Sequence, residues 1–192
     1  MNRIDTQIPG VFILEPRVFK DARGYFSETW NEKTLDQLGI RCRFVQDNES
    51  FSQYGVVRGL HYQKGSDAQA KLVRVIQGEV LDVAVDIRIG SPTFGQHIAV
   101  RLSGENHRQL FIPRGFAHGF AVLSPTALFA YKCDNFYAPH SDGGILSCDK
   151  TLGIDWLIPE DKRIYSEKDA HAQSWADYCT DPVFRAEDFQ CC

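Results

Sequence analysis

The stretch L-D-V-A-V-D-I, residues 81 to 87, alternates strictly, with Leu81, Val83, Val85 and Ile87 on one side of an extended chain and Asp82, Ala84 and Asp86 on the other. A period of two is the signature of a β-strand and is incompatible with one face of a helix. H-I-A-V-R-L (97 to 102) and A-L-F-A-Y-K-C (127 to 133) repeat the pattern, and K-L-V-R-V-I-Q (71 to 77) runs into the turn residue Gly78. Q-G-E, R-I-G-S-P, S-G-E-N and L-S-P punctuate these runs. Short strands joined by tight turns predict an all-β antiparallel sandwich or barrel. Helical patterns are confined to the flanks, at N-E-K-T-L-D-Q-L-G (31 to 39), closed by Gly39, and after Ser166 in S-E-K-D-A-H-A-Q-S-W. With no linker and no internal repeat, the chain reads as a single domain over residues 1–192, with 185–192 as a flexible tail.

Composition narrows the function classes. A chain of 192 residues that is 43% hydrophobic and 24% charged is a globular domain with a real core. It has no apolar run of the roughly 20 residues that a membrane helix needs, and its start, M-N-R-I-D-T-Q-I-P-G, lacks the apolar centre of a secretion signal. A net charge of −4 argues against a nucleic-acid binder while leaving room for a local basic pocket. The six cysteines form no C-x-x-C, and vicinal Cys191 and Cys192 do not suit an ordinary bridge, so reduced thiols and a cytoplasmic location are expected.

The chemistry concentrates in two places. G-V-V-R-G-L-H-Y-Q (55 to 63) runs a strand into His61, a residue open to three uses: metal ligand, catalytic base, or polar strand end. I-P-R-G-F-A-H-G-F (112 to 120) contains P-x-G-x-x-H, which resembles the second motif of the cupins, small jelly-roll barrels, and swings His118 off a turn into a strand. Metal-binding cupins carry an H-x-H pair where this chain reads His61-Tyr62-Gln63. A neutral Gln oxygen is a poorer ligand for transition metals than imidazole, which weakens a site built from His61, Gln63, His118 and Glu79.

A wider likeness runs along the chain in order. E-P-R-V-F-K-D-A-R-G-Y-F-S-E (15 to 28), F-V-Q-D-N (44 to 48), V-V-R-G-L-H-Y-Q (56 to 63), K-L-V-R-V (71 to 75), G-S-P-T-F-G (90 to 95), P-R-G-F-A-H-G-F (113 to 120), Y-K-C-D-N-F-Y (131 to 137) and S-E-K-D (166 to 169) together resemble the dTDP-4-dehydrorhamnose 3,5-epimerases. The resemblance implies a cupin-type jelly roll that inverts C3 and C5 of a dTDP-linked 4-keto-6-deoxy sugar, without metal or other cofactor, on the route to dTDP-L-rhamnose for cell-surface polysaccharide. Protons beside a ketone are the sugar C–H protons an ordinary side chain can remove, so such an enzyme needs a base, a group to stabilise the enolate oxygen and an acid on the opposite face.

By the same resemblance His61 is the base, Asp169 its carboxylate partner, Tyr131 the acid and Lys71 the enolate-stabilising cation. Arg23 and Arg58 match diphosphate contacts, Phe19 and Tyr137 match aromatics near the thymine, and Glu28, Gln46, Asn48, His118, Asp142 and Lys168 match other substrate contacts. Taken singly, Tyr131 reads equally as a core tyrosine, Lys71 as a strand-end lysine, and Ser166 to Asp169 as a helix N-terminus. The segment 144 to 156 departs from a common family form at Ser147 and Asp149-Lys150, which puts nucleotide or sugar preference in question there. Strand parity places Arg58 and His61 on opposite faces, so a shared pocket predicts a bulge at Gly59. The family further implies a homodimer, with the N-terminal segment 1–30 reaching the neighbouring site. Rival readings are a 3-only or 5-only epimerase, a 3,4-ketoisomerase, a metal-dependent cupin, and a non-catalytic sugar-nucleotide binding module.

Overall fold

The computed structural model describes residues 1–189. The chain opens with β1 (Asn2–Asp5), β2 (Phe12–Glu15) and the hairpin of β3 (Val18–Asp21) and β4 (Gly24–Ser27), followed by α1 (Glu32–Gln37). The central run is β5 (Gln46–Gln53), β6 (Val57–Gln63), β7 (Lys71–Gln77), β8 (Glu79–Asp86), β9 (Arg88–Ile89), β10 (His97–Ser103), β11 (Gln109–Ile112), β12 (Phe116–Val122), β13 (Thr126–Cys133) and β14 (Asp142–Gly144). Two short helices, α2 (Glu167–Ala170) and α3 (Trp175–Thr180), and β15 (Phe184–Arg185) close it.

Two sheets form the sandwich that the alternation predicts. One is six-stranded in the order β1-β2-β11-β7-β13-β5, the other five-stranded in the order β10-β8-β12-β6-β14, and every pair within them is antiparallel. Their facing sides interlock through Val73, Val75 and Phe129 from the first and Val80, Ala84 and Phe120 from the second. Phe120 and Phe129 stack at 4.1 Å between ring centroids, a contact that ties the sheets together midway along the core.

β8 shows why its two faces read as they do. Leu81, Val83, Val85 and Ile87 point outward, away from the other sheet, and are covered by Leu152, Trp156, Ile158, Trp175 and Tyr178 from the C-terminal region. Asp82 and Ala84 point inward. The more polar face of this strand is therefore the inside of the sandwich, and the strand is buried on both sides. The covering layer is pinned by polar contacts as well as area: the Trp156 indole donates to the Ser147 carbonyl at 2.7 Å, and the Tyr178 hydroxyl to that of Ile87 at 2.6 Å. Asp149 accepts from the Trp175 backbone N–H at 2.7 Å, so the divergent segment 144 to 156 serves here as an anchor for α3.

The flanking helices start where their capping residues stand. Asn31 accepts from the Thr34 N–H ahead of α1, Ser166 from that of Asp169 ahead of α2, and Ser174 forms a capping box with Asp177 ahead of α3. Residues 185 to 189, expected within a flexible tail, carry the end of β15 and a 3-10 turn in which Phe189 packs edge-on against Phe184. Gln190, Cys191 and Cys192 lie outside the described residues.

Candidate active site

β6 sets the site's geometry. His61 pairs with His118 on β12 while Arg58 pairs with Phe120, three steps on one strand against two on the other. The expected bulge is therefore present, and it brings Arg58 and His61 to the same side. Gly59 takes φ +121°, and a Cβ there would lie 2.6 Å from the Gly119 Cα, so no other residue fits. Arg58 reaches across to the six-stranded sheet and donates from Nε and Nη2 to the Ser52 hydroxyl on β5, at 3.2 and 3.1 Å.

His61 Nε2 lies 2.5 Å from Asp169 Oδ1. The histidine is about one-third exposed and the carboxylate is buried. Asp169 is held from several sides, by a hydrogen bond from the Ser166 hydroxyl at 2.9 Å and by its own N–H donating back to that oxygen at 3.1 Å. Burial works against its charge, but His61, Ser166 and the Gly59 backbone amide together hold the carboxyl below its ordinary range. The bulge residue thus bonds the carboxylate that orients the histidine two positions later. With Nε2 engaged, Nδ1 is the nitrogen available to act as a base.

Opposite stands the inner face of the six-stranded sheet. Tyr131 on β13 packs against the interior core, and burial raises its phenol above the ordinary value, so it is protonated at neutral pH. The Lys71 ammonium on β7 sits 5.9 Å from the Tyr131 ring. Burial pushes its pKa down, opposed by Cys133, Asp82 and Asp142. Cys133 shares the pocket, and burial pushes its thiol up to about 11, so it is inert as a nucleophile near neutral pH.

The rim draws in further predicted residues. Gln46 accepts from the Tyr137 backbone N–H at 2.8 Å and donates to Asn48 at 3.1 Å, while the Asn48 amide points at Cys133 Sγ. Asp142 takes a hydrogen bond from the Tyr137 hydroxyl at 3.2 Å and an ion pair from Lys168, one residue before Asp169. Gln63, in the place of a cupin's second histidine, bonds the Asp67 and Phe136 carbonyls and the Ala138 N–H, so it holds two loops together. Glu79 pairs with Arg101, and no group of three His, Cys, Asp or Glu residues among the described ones is arranged to hold a metal ion.

Phe19, Arg23 and Glu28 do not join this cluster within the chain. They lie on or beside the exposed β3–β4 hairpin, where Phe19 packs on Phe26 and Arg17, and Arg23 pairs with Asp21. Sequence reasoning also missed Asp82, fully buried and bonded to His118 through both oxygens. In the sequence it shares a strand face with Ala84 and Asp86, a pattern that reads as solvent-facing. A cavity of about 370 Å³ opens among Arg74, Ile76, Gln109 and Lys132 of the six-stranded sheet; Asn48 and Tyr131 also border it, and His61 does not.

The described architecture matches known proteins closely. Residues 5–177 fit the sequence model of the family described as dTDP-4-dehydrorhamnose 3,5-epimerase. A protein of that name from Shigella flexneri is 53% identical over 92% of this chain and 97% of its own. The crystal structure of another, from Elizabethkingia anophelis, superimposes with a TM-score of 0.88 at 54% identity, covering 92% of this chain and 97% of that one. A Legionella pneumophila 3,5-epimerase solved in complex with dTDP-4-keto-L-rhamnose gives 0.92 at 52% identity, covering 96% and 97%.

Proposed function

The chain belongs to the dTDP-4-dehydrorhamnose 3,5-epimerase family, and from that premise we propose which of its side chains move the protons. The protein is an isomerase that converts dTDP-4-dehydro-6-deoxy-D-glucose to dTDP-4-dehydro-L-rhamnose in dTDP-rhamnose biosynthesis. One observation carries the assignment of roles: the base candidate and the acid candidate stand on opposing sheets, His61 on β6 and Tyr131 on β13. Inversion at carbon requires the proton to leave one face and return to the other, and a ligand lying between two sheets meets that demand without rotating.

His61 Nδ1 takes the proton from the carbon beside the ketone, and the Asp169 carboxylate stabilises the imidazolium formed. Electron density moves to the ketone oxygen, where the Lys71 ammonium stabilises the enolate. The Tyr131 phenol then delivers a proton to the opposite face. One proton is removed and one returned at each centre, so the chemistry is redox-neutral, and proton exchange with solvent resets His61 and Tyr131 before the next inversion. Arg58 binds the diphosphate, and Gln46, Asn48, His118, Tyr137, Asp142 and Lys168 line the path from sugar to base.

Phe19, Arg23 and Glu28 belong to the same reading through a second copy of the chain. The β3–β4 hairpin leaves Phe19, Tyr25 and Phe26 between about one-half and two-thirds exposed, an apolar surface that a homodimer covers. Among the described residues no helix is long and apolar enough to cross a membrane. On the expectation of reduced thiols we place the enzyme in the cytoplasm.

The test is isotope exchange in deuterated water with dTDP-4-keto-6-deoxyglucose, read by NMR. Wild type incorporates deuterium at both C3 and C5. His61→Ala abolishes both while dTDP binding stays within about threefold, because the nucleotide contacts are separate. Undiminished exchange in that variant overturns the mechanism, and exchange at one carbon alone redirects it to a mono-epimerase.

A further inference from the structure

A second histidine–carboxylate pair lies inside the sandwich, beside the first. His118 faces His61 directly across the β12–β6 register, and its Nε2 sits 3.0 and 2.9 Å from the two oxygens of Asp82 on β8. Asp82 is fully buried. A carboxylate so placed is far too expensive to bury without partners, and it acts on two groups that can carry positive charge, Lys71 and, when protonated, His118.

Resting on the epimerase reading above, we propose that Asp82 is a positioning residue: its carboxylate fixes His118 as the Nε2–H tautomer and supports the positive charge of Lys71. The first part follows from geometry. An acceptor straddling Nε2 requires a proton there, which leaves Nδ1 as a lone-pair acceptor of set direction for a hydroxyl of the bound sugar. Burial, with Lys71 and His61 nearby, pushes the His118 imidazole toward its neutral form against the pull of Asp82, so the ring binds as an acceptor and not as a second cation. The second part follows from charge. Lys71 is faced by Cys133 from β13, Asp82 from β8, Asp142 from β14 and Lys168 from α2. Asp142 is already paired with Lys168, whereas Asp82 is hydrogen-bonded to an imidazole held toward its neutral form, which leaves its charge to act on the Lys71 ammonium.

Two variants separate the hydrogen bond from the charge. Asp82→Asn keeps an acceptor for Nε2–H and removes the charge; Asp82→Leu removes both. Nitrogen-15 side-chain NMR of the full-length protein reads the His118 tautomer without reference to activity. The expected result is a proton on Nε2 in wild type and D82N, and a mixed or reversed tautomer in D82L. In D82N the alkaline limb of the kcat profile moves to lower pH, because Lys71 loses its proton more readily. Its kcat falls about tenfold, with KM for the dTDP-sugar changed less than about threefold. A purely structural role lowers Tm without moving the limb. A wild-type His118 protonated on Nδ1, or a D82N limb that stays in place, overturns the proposal. If D82L fails to fold, the D82N limb and the wild-type tautomer decide alone. If wild type epimerises nothing, the epimerase reading falls, while the tautomer measurement still tests the Asp82–His118 link.

Discussion

Lys71 and Tyr131 are displaced in opposite directions by the same burial, and the two shifts have different consequences for pH dependence. The ammonium is pushed below its ordinary value of 10.5, so on raising the pH it loses its proton, and with it the counter-charge proposed for the enolate, before a solvated lysine would. The phenol is pushed above 10.0, so it remains a proton donor throughout that range. The alkaline limb of kcat is therefore expected to belong to Lys71. Lys71→Arg is predicted to keep measurable turnover and to flatten that limb, since guanidinium does not deprotonate in water's range. Lys71→Met is predicted to lower kcat by about a hundredfold or more at all pH values. A limb that survives unchanged in K71R assigns it to another group.

At the scale of elements, the bulge in β6 is the piece on which most depends. It corrects strand parity so that Arg58 and His61 share a side, and it turns the Gly59 amide toward Asp169. Gly59→Ala places a methyl 2.6 Å from backbone at φ +121°, with a predicted loss of about 2–5 kcal/mol in chemical denaturation. Its exchange activity is predicted to fall further than the unfolded fraction accounts for; activity that tracks the folded fraction removes the bulge from the mechanism. This bulge was legible in the sequence, because Arg58-Gly59-Leu60-His61 demanded it. The strands were legible for the same kind of reason, since alternation survives in every one that has a single buried side. β8 was legible as a strand but not as to which face looks inward. That depends on Trp156, Tyr178 and their neighbours, held in turns and short helices with no period to read. Asp82 was hidden by the same uncertainty, because a carboxylate on an alternating strand reads as solvent-facing until the outside is known to be covered. Asp169 could be placed on a helix start from Ser166, but its meeting with His61, 108 positions away, could come only from resemblance.

For the whole molecule, the division of site residues between the sandwich interior and the β3–β4 hairpin matters most. His61, Asp169, Lys71 and Tyr131 sit inside the chain, while Phe19, Arg23 and Glu28 project from it beside exposed aromatics. In the proposed dimer each pocket borrows the hairpin of its neighbour, so the gene product behaves genetically as two separable parts. A chain carrying His61→Ala still lends an intact hairpin, and a chain carrying Arg23→Ala still owns an intact base. Each variant alone is predicted to be impaired, yet refolding them together in equal amounts should restore about a quarter of wild-type turnover, since random pairing makes half the dimers mixed and repairs one site in each. Light scattering that finds a monomer, or a mixture no more active than the average of its components, rules the shared pocket out. Two defective alleles that rescue one another would be the hereditary trace of a hairpin that points away from its own active site.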